Sequence, residues 1–136
     1  MTTLKSTPLS SARAGSKNRL APCPGAPNCV SSLAPEKRHF IEPLRFVGRP
    51  EAAYRALVGI LKKIPRARIV AKEKDYLHAE FRSGGFGFVD DVEFLFQSEP
   101  PVIHVRSASR KGYFDFGVNR KRIESIRKLL TAALSR

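Results

Sequence analysis

"YLHAEFRSGGFGFVDDVEFLF", residues 76–96, decides the fold, because apolar and polar side chains alternate on both sides of a glycine-rich centre. Such a period of two is typical of β-strands that bury one face. Ser83, Gly84 and Gly85 supply the residue types of a turn. The stretch therefore predicts two antiparallel strands, over residues 76–83 and 89–96.

Two more segments extend this pair into a sheet. Residues 66–74 and 102–109 are also rich in β-branched and alternating side chains. Lys74-Asp75 and the Glu-Pro-Pro sequence at 99–101 separate them from their neighbours, and short turns join strands that lie side by side. The sequence predicts a four-stranded antiparallel meander.

Helical segments stand before and after these strands. Residues 49–64 and 119–134 carry apolar side chains at helical spacing, with Pro50 and Glu51 suited to the first turn of one helix and Asn119 to the N-cap of the other. Residues 38–46 are expected to be a short extended edge segment, since Pro43 cannot donate to a central ladder. The fold class is α+β: a two-layer sandwich whose N-terminal and C-terminal helices pack on one face of the four-stranded antiparallel sheet.

The chain of 136 residues is long enough for one ordinary domain. Residues 1–22 hold four basic residues, no acid and no sustained apolar period, so we expect a flexible basic tail followed by a single α+β domain over residues 23–136. No run approaches the roughly 18 apolar residues that span a bilayer, and no apolar secretory signal is apparent. We expect no transmembrane segment and a cytoplasmic location; the sequence leaves the oligomeric state open.

The formal net charge of +13 favours association with anionic partners, although it carries no information about specificity. Strand alternation concentrates ionisable side chains on the sheet face opposite the helices. They are Arg68, Lys72, His78, Glu80, Arg82, Asp91, Glu93, His104 and Arg106.

This charged face has two interpretations. Opposite charges can pair across neighbouring strands on a solvated surface. Alternatively, the face binds a polar ligand or forms an active site in which carboxylates serve a hydrolase-like or metal-dependent reaction. No tight metal-ligand motif is present, so we expect no metal and no cofactor.

A basic, glycine-containing segment, residues 106–122, leads into the second helix. A helix N-terminus favours an anion, so phosphate or carboxylate would suit it. Asp90 or Asp115 could instead supply the negative charge internally. The aromatic residues Tyr113, Phe114 and Phe116 also permit non-specific nucleic-acid binding.

Alternation separates the neighbours Asp90 and Asp91. We predict that Asp90, on the apolar side, is the buried partner of an arginine within residues 106–120. Asp91 and Glu93 are predicted to face the ligand.

Both cysteines lie in "CPGAPNCVSS", residues 23–32. The spacing of Cys23 and Cys29 is not that of a zinc knuckle or a C-x-x-C redox pair. A nucleophilic cysteine needs a base beside it, and the neighbouring sequence indicates none. We assign both a structural role, as a disulfide in an oxidising compartment or as packed thiols in a reducing one.

"CPGAPNCVSS", "YLHAEFRS", "FGFVDDVEF" and "RSASRKGYFDFGVNR", in this order, closely resemble the bacterial and plastid family named domain of unknown function 1499. The resemblance covers about residues 21–134. Members of that family are often exported or membrane-attached, which would suit a disulfide, and the resemblance implies no activity. It points to Arg82, Asp90, Asp91, Glu93, Arg106, Ser107, Ser109, Arg110, Tyr113, Asp115, Asn119 and Arg120.

We therefore expect a domain that binds a small polar or anionic ligand, with enzymatic activity left open and non-specific nucleic-acid binding as a further alternative. The expected ligand-binding residues are Arg82, Asp91, Glu93, Arg106, Arg110, Tyr113, Asn119 and Arg120. The expected structural residues are Cys23, Cys29, Asp90 and Asp115.

Overall fold

The structure, a computed structural model, describes residues 20–83, 87–112 and 115–135. Its elements are β1 (Cys29–Ser31), β2 (Leu44–Arg45), α1 (Pro50–Lys63), β3 (Ala67–Glu73), β4 (Tyr76–Arg82), β5 (Val89–Ser98), β6 (Pro101–Ser109) and α2 (Val118–Leu134). The α+β class and the order helix, four strands, helix are confirmed.

One antiparallel sheet contains all six strands that the described residues form, in the order β1-β6-β5-β4-β3, and β2 also pairs with β6. The predicted meander is β3 to β6. Strand β1 was missed, because three residues are too short to display an alternating pattern. The extended segment predicted over residues 38–46 contains β2.

The helices cover one face of the sheet, as predicted. Leu57 and Leu61 of α1 and Ile123 and Ile126 of α2 are buried against the apolar face, at whose centre Phe94 is fully buried. Pro50 and Glu51 lie in the first turn of α1 as expected, but α2 begins one residue early and its N-cap is Gly117 rather than Asn119. Neither helix in the described part of the chain is long and apolar enough to cross a membrane.

A register shift in β3 changes the predicted faces. The pairing moves between Ile69 and Ala71, so that Ala71 lies opposite His78 and Lys72 lies opposite Leu77. Because paired residues share a face, the shift places Lys72 on the helix side of the sheet. Its assignment to the charged face was wrong.

The charged face is not open, because the chain crosses it before β1. Leu20 and Ala21 are buried, and Leu20 packs with Tyr76 and Leu95 on this face. The Cys23–Cys29 disulfide then ties the segment to β1. We call residues 20–28 the strap. Residues 20–22, assigned by sequence to the tail, thus contact the sheet, while residues 1–19 lie outside the described part of the chain.

Candidate functional site

Asp91 is the centre of a charged network on the sheet face opposite the helices. It is 4% exposed, and its Oδ1 lies 2.8 Å from His78 Nε2. Since a carboxylate only accepts, Nε2 carries the proton. Arg110 donates from Nε to Asp91 Oδ2 at 2.6 Å and from Nη2 to Oδ1 at 2.9 Å. Burial alone would raise the pKa of the Asp91 carboxyl, but hydrogen bonds from His78 and Arg110 outweigh it and lower the pKa.

Arg110 connects this network to the sheet margin. Its Nη2 donates to Glu80 Oε2 at 2.8 Å, while Arg68 and Arg82 lie 3.8 and 3.7 Å from Glu80 Oε1. Hydrogen bonds to Asp91 and to Glu80 raise the pKa of Arg110 against a smaller effect of burial. One carboxylate is therefore shared by three guanidinium groups, which leaves this margin with excess positive charge.

Glu93 is fully buried in the second part of the network. The Tyr76 hydroxyl donates to Glu93 Oε2, and Arg106 Nη1 lies 3.9 Å from Oε1. Arg106 Nη2 donates to the carbonyl of Pro22 in the strap at 3.2 Å. Burial lowers the pKa of the Arg106 guanidinium, and the charges of Glu93 and Asp91 oppose that effect.

The prediction that Asp91 and Glu93 face a ligand differs from this arrangement. Both side chains point away from the helices as alternation requires, but the chain's own cations pair with them, and the strap contacts Arg106 beside Glu93. A substrate would reach these carboxylates only by displacing the cations that pair with them.

A second network lies at the start of α2. Asp115 accepts hydrogen bonds from the Gly117 N–H at 2.8 Å, the Asn119 N–H at 3.2 Å and the Asn119 side-chain amide at 2.8 Å. Although burial opposes them, these hydrogen bonds lower the pKa of Asp115. Asn119 is fully buried and also accepts from the Ser107 hydroxyl at 2.6 Å. The anion that a helix start favours is thus supplied internally, which is the alternative that the sequence left open.

Asp90 pairs with an arginine, but not with one in residues 106–120. Arg122 Nη2 lies 2.8 Å from Asp90 Oδ2, and the same guanidinium donates to Asn119 Oδ1 at 2.8 Å and stands 4.7 Å from the centre of the Phe81 ring. Since Asp90 and Arg122 are 15% and 14% exposed, the pair is mostly buried. The partner was misidentified because Arg122 reaches Asp90 from the second turn of α2.

Arg120 is used partly as a structural tie. Its guanidinium donates to the carbonyls of Phe40 at 2.8 Å and Arg38 at 3.2 Å. It also borders a shallow groove of about 510 Å³ along α2, lined by Gly117, Arg120, Lys121, Glu124, Ser125 and Lys128.

The structure brings five of the predicted ligand residues onto one sheet face and two onto α2, and Tyr113 lies outside the described residues. The five are Arg82, Asp91, Glu93, Arg106 and Arg110; the two are Asn119 and Arg120. Tyr76 was missed, although its position two residues before His78 places it on this face. Within the described ranges no group of three His, Cys, Asp or Glu side chains is arranged to hold a metal.

The two ends of the sheet differ in charge. At one end, which we call the loop end, β4 finishes, β5 begins and β6 leads into α2. Its exposed residues include Arg66, Arg82, Lys111, Lys121, Phe88, Phe116 and Val118. At the opposite, turn end lie the β3–β4 and β5–β6 turns and the start of α1, where the acids Glu51, Glu73, Asp75 and Glu99 stand beside the bases Arg49, Arg55 and Lys74.

Comparison with known proteins agrees with the resemblance carried by the four motifs. No curated protein matches the chain. A family model described as "Protein of unknown function (DUF1499)" matches residues 19–130, a range that includes the strap, every strand and most of α2. The chain therefore belongs to the DUF1499 family.

Proposed function

We propose that this domain binds an anionic ligand at its basic loop end. The observation that carries the proposal is that the acids at this end are paired within the protein, whereas lysines there are exposed. Asp90 is paired with Arg122, and Asp115 caps α2. Lys111 and Lys121 are exposed beside them. The negative charges at this end are neutralised by partners within the protein, while the lysines face solvent. An anionic partner therefore supplies the negative charge that complements these lysines.

The turn end supports the assignment by contrast. Its groove of about 440 Å³ is lined by acids and bases together, including Glu51, Asp75, Arg55 and Lys74. Burial and the nearby charges of Glu73 and Asp75 raise the pKa of Tyr54 in the same groove, as expected for an anionic surrounding. An approaching anion is therefore drawn to the loop end.

The proposed binding site lies at the loop end, whereas the sequence predicted that the ligand also contacts the carboxylates of the sheet face. Arg82, Arg110 and Arg120 remain near the ligand, whereas Asp91 and Glu93 are buried and stabilise the fold through their ion pairs. An enzyme that uses the sheet-face carboxylates gains no support, because both are buried and paired with the chain's own cations.

The test is isothermal titration of the full chain with tripolyphosphate at 50 and 200 mM NaCl. We expect saturable binding that weakens at higher salt. Lys111→Gln/Lys121→Gln removes two exposed positive charges from the loop end and should weaken binding about fivefold, since exposed ion pairs contribute roughly 0.5 kcal/mol each.

The matched control is Arg55→Gln/Lys74→Gln, which removes the same charge from the turn end. It should change the affinity by less than about twofold, because these positions do not contact the ligand. Equal losses in the two variants would show that only net charge matters, and absence of binding would remove the proposal.

A further inference from the structure

We infer that the anionic partner of the loop end is the surface of a lipid bilayer, into which exposed apolar side chains of this end insert. The inference rests on the proposed function and names its partner. Three observations carry it: two exposed phenylalanines whose loops are held by hydrogen bonds, an exposed aliphatic neighbour, and exposed lysines beside them.

Phe116 is the most exposed of these side chains, at 88%. Its φ of 54° lies in the left-handed region, which bulky residues rarely occupy. Asp115 holds this turn, through its carboxylate to the Gly117 N–H at 2.8 Å and its carbonyl to the Val118 N–H at 3.0 Å. An unfavourable conformation that presents a large apolar side chain outward is a feature that function explains better than folding does.

Phe88 lies at the same end of the sheet and is 55% exposed. Its carbonyl accepts from the Ser83 N–H at 2.9 Å, and its own N–H donates to Ser83 Oγ at 3.0 Å. The next residue, Val89, accepts from the Arg110 N–H at 3.1 Å, which joins the two loops. Because both backbones are already ordered, insertion of the rings costs little further conformational entropy.

Val118, at 46% exposure, extends the apolar surface along the first turn of α2. Lys111 and Lys121 are exposed beside it. Apolar side chains that enter the boundary between headgroups and acyl chains, flanked by lysines that meet anionic headgroups, are the combination by which peripheral proteins bind membranes.

Nucleic acid fits these residues less well. Phenylalanine rings can stack on bases, but an aliphatic side chain such as Val118 gains nothing from stacking, and neither residue type can hydrogen-bond to a base edge. Transfer from water to a hydrocarbon boundary rewards all three side chains. Lipid is therefore the partner that accounts for the whole surface.

The experiment is co-sedimentation of the full chain with vesicles of phosphatidylcholine containing 30% phosphatidylglycerol, beside pure phosphatidylcholine vesicles, at 100 mM NaCl. The test variant is Phe88→Ser/Phe116→Asn, in which asparagine tolerates the left-handed backbone. The control is Val47→Ser, which removes a side chain that is 75% exposed next to β2, at the turn end. Circular dichroism and the melting temperature establish that each variant is folded.

We expect binding to the anionic vesicles only, and a loss of about tenfold in partitioning for the double variant. Val47→Ser should partition like the original chain, and tripolyphosphate affinity should be unchanged in both variants. Partitioning of the double variant equal to that of the original chain would overturn the insertion of these rings.

Two outcomes separate this inference from the proposed function. Binding of tripolyphosphate without binding to anionic vesicles overturns the inference of a membrane partner and leaves the proposed anion site intact. Binding of a single-stranded oligonucleotide that the double variant loses, with no vesicle binding, overturns it in favour of base stacking. Failure with tripolyphosphate, oligonucleotide and vesicles alike would overturn both.

Discussion

At the scale of the residue, the protonation state of His104 depends on its surroundings on the sheet face opposite the helices. Its Nδ1 lies 3.0 Å from Ser32 Oγ, which accepts from the Val105 N–H at 2.9 Å. The Ser32 hydroxyl can donate to Nδ1 when that nitrogen is unprotonated, or to the Val105 carbonyl, which lies 3.5 Å away. Burial lowers the pKa of His104. The neutral ring is the form that the fold stabilises.

We predict that NMR titration will give His104 a pKa below its ordinary value of about 6.5. Since the unfolded chain then binds the proton more tightly, this histidine's contribution to stability is present above about pH 6.5 and is lost as the pH falls toward the folded pKa. Ser32→Ala should keep the pKa low, because burial is the main cause. A value at or above 6.5 would contradict the prediction.

Asp90 gives the second residue-scale prediction. Asp90→Ala should lower the free energy of unfolding by about 2 to 4 kcal/mol, because it leaves the mostly buried Arg122 without its carboxylate. Urea denaturation measures the loss. The control is Glu124→Ala, whose partner Arg127 lies 2.8 Å away in an exposed pair, and which should cost less than about 1 kcal/mol. Equal losses for the two variants would contradict the assignment.

The sequence was informative about Asp90 only up to a point. The period of two separates Asp90 from Asp91, and so predicts correctly that they have different surroundings. The partner of Asp90 depends on how α2 crosses the sheet, which no local pattern encodes. Asn119 illustrates the same limit: its residue type suits an N-cap, but Ser107 and Asp115 draw its side chain into the interior.

At the scale of the element, the strap depends on its disulfide. Cys23→Ser/Cys29→Ser should lower the free energy of unfolding by about 2 kcal/mol, since the closed loop is short. Hydrogen exchange should accelerate in the strap and in β1, whereas β5, paired on both sides, should keep its protection.

Chemical reduction of the unaltered chain is the control for this variant, and should reproduce both changes. Unchanged stability would show that Leu20 and Ala21 hold the strap without the bridge. Acceleration of β5 equal to that of β1 would show that the whole sheet, rather than the strap, depends on the disulfide.

The predictability of the elements follows their length. Strands β3 to β6 and both helices were identified because several periods of apolar side chains mark each of them. The strap could not be anticipated, since two apolar residues, Leu20 and Ala21, form no period. The sequence therefore predicted a charged face that is exposed to solvent. The pattern shows which side chains share a face, but not what covers that face.

At the scale of the whole molecule, acids and bases mix at the turn end of the sheet, whereas the exposed charges described at the loop end are mainly basic. The sequence gives a net charge of +13 without its distribution, which depends on pairings that only the fold creates. The cytoplasmic location stays a prediction, and a disulfide is more common in oxidising compartments. Net charge also acts on the fold itself, because like charges repel more strongly when the chain is compact.

Salt should therefore stabilise this protein. We predict that the melting temperature rises by about 2 to 5 °C between 10 and 150 mM NaCl, because screening weakens the repulsion among exposed lysines and arginines. Screening also weakens ion pairs, which would act in the opposite direction. The carboxylates of Asp90, Asp91 and Glu93 are mostly buried, so their pairs are screened less than surface pairs and relief of repulsion should prevail.

Differential scanning fluorimetry across a series of NaCl concentrations measures the effect. Lys111→Gln/Lys121→Gln, with two fewer positive charges at the loop end, should melt higher than the original chain at 10 mM NaCl and gain less from salt. A melting temperature that falls with salt would mean that the internal ion pairs, rather than the excess cations, govern the electrostatic free energy of this fold. Lys111 and Lys121 would then have no stability cost that an anionic partner could relieve.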